Sequence, residues 1–414
     1  NGYGIGSFQQ WTSASAGGSS SLGLTPSYRS HISLSNPTTW SNLKFTFLSI
    51  SYNGFESSIK NNSKNGYSNL QSAQLIIPIK KKHALGIELH PYSYQKINLL
   101  DSLNSELIIF GDSVSMVKEY EQAGGIMSFN LSAASSIMSN TSIGFTFQLL
   151  FGSSRQRNNL NIDEIPYVLS SRLNFSGINA LLFAEHKIND LNFYFKSKIA
   201  LKPLQAVSTK LYPYFDANKN GYHDFVYDYL NPGYDFPDPN DVPGPEVKRL
   251  TDIHKPSSFG IGISRAFFDR LQFSLELEKN KDDATFGIEM PNSFNNRIVS
   301  SSHLSLGLVW FPNDQSIQIF DNLTFRSGLS VRSFTLDKFD NAALKRIESG
   351  GGISEIGYSL GFGYKFKTVG NQIDFTYHSS LKDHSNTFLS VEHFRGFQVG
   401  ISIADIWFIK RRQR

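Results

Sequence analysis

Large apolar residues alternate with small or polar ones along most of the chain, most clearly between residues 353 and 366. In this stretch the large residues occupy every second position: Ile356, Tyr358, Leu360, Phe362, Tyr364 and Phe366. A period of two is typical of a β-strand with two unlike faces. In a soluble sandwich the large face would pack into a core. In a transmembrane barrel it would face lipid, and the small or polar face would line the lumen.

The spacing of the strands favours the barrel. From Leu43 onward the alternation predicts about fourteen strands, and the connections between them alternate in length. Most connections after even strands are short (80–82, 139–140, 189–190, 269–270 and 367–371), whereas most of those after odd strands are longer (98–118, 153–165, 208–255, 282–300 and 336–352). Short periplasmic turns and long outer loops give this rhythm. The predicted fold is therefore all-β, a fourteen-stranded antiparallel transmembrane barrel.

The composition agrees with a barrel in a bacterial outer membrane. Aromatic residues make up 14% of the chain and charged residues only 18%, and cysteine is absent. Several even strands end in aromatic residues, as an interfacial girdle requires: Phe267, Phe268, Trp310, Phe311, Trp407 and Phe408. A net charge of +4 is too small to indicate nucleic acid as a partner. Outer-membrane lipid is the expected surrounding, and the absence of a leader before Asn1 is expected of a mature exported chain.

The two ends of the chain differ from the strands. Residues 1–41 are rich in glycine, serine and threonine, and no sustained alternation appears before Leu43. The segment is either a flexible leader or a hatch that plugs the lumen, where small residues let the backbone lie close to a wall. The predicted organisation is a hatch over 1–41, a barrel over 42–408 with a long extracellular loop over 208–255, and a basic periplasmic tail over 409–414.

One motif in the long loop indicates a calcium site. Asp216, Asn218, Asn220 and Asp224 stand at positions 1, 3, 5 and 9 of a calcium-loop pattern, with Gly221 at position 6. Position 12 is Tyr227, where such loops carry a bidentate acid. Calcium in a structural role is one hypothesis; an Asx-rich turn in a polar loop is the other.

Charged residues are predicted on the inward face of several strands. They are Lys196, Lys198, Glu276, Glu278, Arg326 and Asp374. They either line a solute path or neutralise one another inside the barrel. Metalloprotease, phosphate-loop and dinucleotide-binding signatures are missing, and the chain is predicted not to be an enzyme.

The organisation resembles the FadL-type outer-membrane transporters, whose barrels have fourteen strands. Asn36-Pro37-Thr38 resembles the family's hatch motif, the small-residue run from Ser13 to Gly18 resembles the hatch itself, and 396–408 resembles a closing strand. The resemblance implies a hatch in the lumen and passive uptake of hydrophobic ligands through a lateral opening beside a kinked third strand. Pro91 lies in the third predicted strand. The charges predicted in the lumen do not fit the apolar ligand path that the resemblance implies.

Two functions remain open at this point. The first is passive uptake of hydrophobic or amphipathic small molecules across the outer membrane. The second is a non-transporting accessory or scaffold barrel in a surface complex or a type IX secretion complex, because relatives of this architecture serve there. The second hypothesis adds other surface or secretion proteins as partners.

Overall fold

A computed structural model describes most of the chain. The described residues are 5–9, 11, 13–59, 63–79, 82–109, 112–162, 165–217, 219, 221–224, 235–268, 270–288, 296–313, 318–339, 346–366, 371–383 and 391–405. The predicted residues that lie outside this part include Asn218, Asn220 and Tyr227, the turn residues at 80–81, 269 and 367–370, the pair Trp407-Phe408 and the tail 409–414.

Strands form nearly all of the described structure. Their bounds are β1 (Ser7–Phe8), β2 (Thr46–Ile59), β3 (Ser63–Ile79), β4 (His83–Ile109), β5 (Asp112–Met138), β6 (Thr141–Ile162), β7 (Ile165–Ile188), β8 (Leu191–Lys210), β9 (Tyr214–Phe215), β10 (Glu246–His254), β11 (Pro256–Phe267), β12 (Leu271–Asp282), β13 (Asn296–Trp310), β14 (Leu323–Phe339), β15 (Arg346–Lys365), β16 (Gln372–Asp383) and β17 (Glu392–Asp405). One short helix, α1 (Ala14–Gly18), and two 3₁₀ helices (Pro37–Asn42 and Phe320–Asn322) accompany them. No helix in the described ranges is long and apolar enough to cross a bilayer.

The wall is a closed antiparallel barrel. Strands β2 to β8 and β11 to β17 follow one another around it, and β17 pairs with β2 over the whole of β17. Both β10 and β11 pair with β8, so these two strands form one wall strand that is broken at Lys255. The predicted all-β, fourteen-stranded barrel is confirmed.

The exterior carries the large apolar faces that the alternation predicted. In β15, Ile356 is 63% exposed and Leu360 54% exposed, whereas Ser359 between them is buried inside. Exposed aromatic residues, among them Phe268 and Trp310, stand near the short turns. An apolar belt around a barrel with a polar interior suits a lipid surrounding, because pairing between neighbouring strands satisfies most backbone groups of the wall within the protein.

The half of the barrel that lies away from the short turns is called the outer half below. In the outer half the strands are longer than predicted. The expected connections at 98–118 and 153–165 are largely strand, since β4 runs to Ile109 and β6 pairs with β7 up to Ile162↔Ile165. The expectation was wrong because neither stretch keeps the period of two. Apolar residues stand side by side in 98–118, as at Leu107-Ile108-Ile109, and 153–165 is mostly polar.

Candidate functional site

Residues 13–42, called the inner segment below, occupy part of the lumen. Most of their side chains are buried, and the wall binds their backbone. The Thr376 hydroxyl donates to the carbonyl of Ala14 at 2.6 Å, and the Ser359 hydroxyl donates to the carbonyl of Gly18 at 3.0 Å. The segment thus lies where a hatch would lie. That it moves as one stays a prediction.

Glu276 on β12 is the main anchor of the inner segment. Its carboxylate accepts hydrogen bonds from the backbone N–H of Leu22 at 2.6 Å and of Thr25 at 2.9 Å, and from the Ser21 hydroxyl at 2.7 Å. A buried carboxylate is stable only where several donors replace its water. Here those donors come from the chain that fills the lumen, so the predicted lumen charge serves to hold the segment.

Arg326 on β14 supplies a second anchor. Its Nε donates to the carbonyl of Ser27 at 2.7 Å, and one Nη donates to Asp374 on β16 at 2.7 Å. Arg326 and Asp374 are both almost fully buried. The ion pair therefore fixes a guanidinium whose remaining donors reach the inner segment.

Small residues on the wall make room for helix α1. A Cβ atom built on Gly361 of β15 would come within 2.8 Å of the Cα of Gly18, and one built on Gly328 of β14 would come within 2.3 Å of Ser19 backbone atoms. These contacts are too close for any side chain. The glycines on the small face of β14 and β15 are thus required by close approach of the segment.

Asn36 and Pro37 lie where the inner segment turns toward β2. The Asn36 side chain donates from Nδ2 to the carbonyl of Leu24 at 2.8 Å, and its Oδ1 accepts from the N–H of Thr38 at 3.1 Å. Pro37 begins the 3₁₀ helix that Asn36 caps. The pair therefore closes a loop of the segment on itself.

The wall has a seam between β3 and β4 in its outer half. These strands pair only from Ala73↔Leu89 to Ile79↔His83. Beyond that point β3 pairs with β2 and β4 with β5, but not with each other. The seam begins at the register shift between Pro91 and Ser93, where the predicted kink of the third strand lies.

The start of the chain lies in this seam. Strand β1 pairs with β4 at Ser7↔Tyr94 and Phe8↔Ser93. Gln9 then bridges both edges, since its backbone N–H donates to the carbonyl of Tyr92 at 3.1 Å and its side chain donates to the carbonyl of Gln71 on β3 at 2.9 Å. The sequence analysis missed this strand because two residues are too short for an alternation to show.

A cavity of about 370 Å³ extends from the seam into the lumen. Its lining includes β1, Pro91, Tyr67 and Tyr94 at the seam. Three of the predicted lumen charges also line it: Lys196, Lys198 and Glu278. Lys196 and Glu278 form an ion pair at 3.1 Å.

A buried network crosses the lumen beside the cavity. The Tyr92 hydroxyl is 2.7 Å from Nε2 of His254, and Nδ1 of His254 is 2.7 Å from Asp282. Lys198 donates to the Tyr92 hydroxyl at 3.1 Å, and Arg297 also bonds to Asp282. The register shift at Pro91 and the break at Lys255 bring together residues that alternation alone keeps apart, so the alternation could not predict this network.

One spacing in β15 resembles that of a hydrolase nucleophile. Residues 357–361 read G-x-S-x-G, but Ser359 lies in the middle of a strand and not on a strand-to-helix turn. Its hydroxyl is 2.8 Å from that of Ser20. The serine is therefore a contact of the inner segment.

The predicted calcium loop is described in part. The Asp216 carboxylate accepts from the N–H of Gly221 at 2.8 Å, and Arg157 donates to the same oxygen at 3.3 Å. Asp235 accepts from the N–H groups of Ala217 and Asp224, and its burial raises the pKa of its carboxyl. Within the described ranges, no three His, Cys, Asp or Glu side chains come together in a way that could hold a metal ion. Calcium at this loop stays a prediction.

Comparison of the sequence with protein families gives one match. A family model described as BamG matches residues 1–413. No curated protein matches the chain.

Several solved structures share the fold. A Pseudomonas aeruginosa FadL homologue is 13% identical with a TM-score of 0.60, and the match covers 97% of this chain and 99% of that one. A monoaromatic hydrocarbon channel, CymD, is 11% identical with a TM-score of 0.57, covering 98% and 99%. The Pseudomonas putida toluene transporter TodX is 11% identical with a TM-score of 0.54, covering 98% and 100%. The expected resemblance to FadL-type barrels is confirmed for the fold, while the matching family model carries a different name.

Proposed function

The chain belongs to the BamG family, and we propose that this member is an outer-membrane barrel that admits small amphipathic molecules sideways, through the seam between β3 and β4. Hydrophobic ligands and outer-membrane lipid are then its partners. The fold supports a channel of this kind, since the similar structures include a toluene transporter and a hydrocarbon channel.

The observation that carries the proposal is the continuity of the seam with the cavity. Residues of both seam edges, Tyr67 and Asn69 on β3 and Tyr94 on β4, line the cavity together with Phe8 and Gln9. On the outside, the seam begins beside exposed apolar residues such as Leu70. A molecule dissolved in the outer leaflet thus meets the seam before it meets the aqueous mouth of the barrel.

The closure of the seam is weak compared with the wall. Strand β1 contributes two ladder positions, and Gln9 adds its two bonds. Each such hydrogen bond contributes on the order of 1 kcal/mol net. Local opening of the chain start therefore costs far less than separating two full wall strands, and a ligand that enters the cavity is able to compensate for it.

The test crosslinks position 9, at the start of the chain, to β3 on the other side of the seam. Cysteine is absent from the chain, so the double variant Gln9→Cys/Gln71→Cys can be joined by a short reducible crosslinker without side reactions. Its matched control, Ser51→Cys/Ser72→Cys, places the crosslink between β2 and β3, where the ladder is closed. Both are reconstituted in liposomes, and entry of the fluorescent amphiphile N-phenyl-1-naphthylamine is followed with and without reductant.

We expect that crosslinking the seam variant lowers the rate of amphiphile entry to that of protein-free liposomes. Reduction of the crosslinker should restore the original rate. The control is expected to conduct equally in both states. Equal rates for the crosslinked and reduced seam variant would refute lateral entry.

A second candidate function is an accessory barrel in a surface or secretion complex. It is favoured by the unpaired edges of β3 and β4 beyond β1, because such edges accept a strand from another protein. Purification in mild detergent from the native membrane, yielding only this chain, would count against it.

A further inference from the structure

Four aromatic rings form a row along the cavity wall, from the seam at β3 and β4 to β2 and β17. Adjacent ring centroids lie 4.0 Å apart for Tyr94 and Tyr67, 5.4 Å for Tyr67 and Phe55, and 4.9 Å for Phe55 and Phe394. All four residues line the cavity, as does Trp11. Ring faces of this kind offer a flat apolar surface to a ligand.

The same cavity presents buried polar atoms without a protein partner. Among the described residues these include both amide atoms of Gln398, the Nε1 of Trp11, the Oδ1 of Asn53 and the Nε of Arg332. Each of these residues is at least nine-tenths buried and lines the cavity. The set contains donors and acceptors, so it suits a group that does both, such as a hydroxyl.

Two ion pairs of the cavity wall are formed within the protein. Lys196 pairs with Glu278 at 3.1 Å, and Arg332 pairs with Glu355 at 3.4 Å. A ligand with a net charge would compete with these internal pairs. A neutral ligand leaves them intact.

A hydrocarbon fits this lining poorly. It would leave the Gln398 amide and its neighbours without hydrogen-bond partners, which lowers affinity. We therefore propose, resting on the proposed function, that the ligand of this cavity is a neutral ring compound that carries several hydroxyl groups. Its ring lies on the aromatic row and its hydroxyls bond to Gln398 and Asn53. A small saccharide and a polyhydroxylated aromatic compound share this chemistry.

The size of the cavity agrees with that class. At about 370 Å³ it falls in the lower part of the range for small-molecule sites, about 300–1,000 Å³. A ligand of two linked rings therefore fills the cavity, and a longer ligand would have to extend into the seam.

The experiment compares three small ring compounds as probes on the purified full chain in detergent. They are cellobiose, the polyhydroxylated aromatic catechin, and biphenyl as the hydrocarbon. Binding is followed by calorimetry and by the fluorescence of Trp11, which Trp11→Phe should remove selectively. The variant Gln398→Leu removes the unpaired amide, and Gln205→Leu makes the same change on β8, away from the cavity.

We expect cellobiose or catechin to bind, and biphenyl to bind at least about tenfold more weakly. Gln398→Leu should weaken the hydroxylated probe about tenfold, the loss expected for a buried hydrogen-bonding group, while Gln205→Leu leaves it unchanged. Binding of cellobiose alone or of catechin alone identifies the source of the ligand.

Equal or tighter binding of biphenyl, or an unchanged affinity in Gln398→Leu, overturns the ligand class. So does the failure of both hydroxylated probes to bind. The proposed function is judged separately: if biphenyl binds and amphiphile entry still depends on the free seam, lateral uptake stands and only the hydroxylated ligand falls.

Discussion

Replacement of Glu276 by leucine is expected to release the inner segment while leaving the barrel closed. The carboxylate is the acceptor for the N–H groups of Leu22 and Thr25, and leucine of similar size offers none. A buried backbone donor left without a partner costs about 1–3 kcal/mol, so two of them weaken the closed segment by about 2–6 kcal/mol. Since about 1.4 kcal/mol is a factor of ten, local opening should become at least about thirtyfold more frequent.

Hydrogen exchange measured by mass spectrometry checks this expectation. Peptides that contain Leu22 to Thr25 should exchange faster in Glu276→Leu by at least this factor, whereas peptides from the wall strands should not change. The matched control is Glu278→Gln on the same strand, because Glu278 bonds to Lys196 and not to the inner segment. Unchanged exchange at Leu22 to Thr25, in a variant that keeps its folded barrel, would refute the anchoring role of Glu276.

Two further predictions concern the fit of helix α1 and the long loop. Gly361→Val should expel α1 and expose the inner segment to protease, because even a Cβ at this position meets backbone at 2.8 Å; Gly54→Val, where the nearest atom lies at 3.9 Å, should leave the segment protected. Calcium titration of the calcium-free protein should give saturable heat that Asp216→Ala abolishes, since Asp216 is the first position of the loop motif. No heat in the parent protein would favour the Asx-rich turn.

Much of the barrel could be predicted from the sequence because of the geometry of its strands. A strand between lipid and a polar lumen must alternate with period two, and the alternation of Ile356, Leu360 and their neighbours records that constraint directly. Residues 98–118 and 153–165 depart from this period, since the first has adjacent apolar residues and the second is mostly polar. That is why 98–118 and 153–165 were taken for connections.

The inward position of Glu276 and Arg326 was also readable, but their partners were not. Alternation states which side of the wall a residue occupies and says nothing about which part of the chain lies opposite. The bond from Glu276 to Thr25 joins residues 251 positions apart. Gln9 and Tyr92 were missed for a related reason, since both depend on a local departure from strand geometry at Pro91.

The inner segment also sets the order of events in biogenesis. It precedes every wall strand in the chain, yet it bonds to β12, β14, β15 and β16, which lie in the second half of the sequence. It cannot reach these partners until those strands have been delivered. A late, slow step of assembly is therefore expected, because so many contacts span most of the sequence. A wall that closed without the segment would leave the Glu276 carboxylate without the donors that replace its water, so this anchor favours assembly with the segment inside.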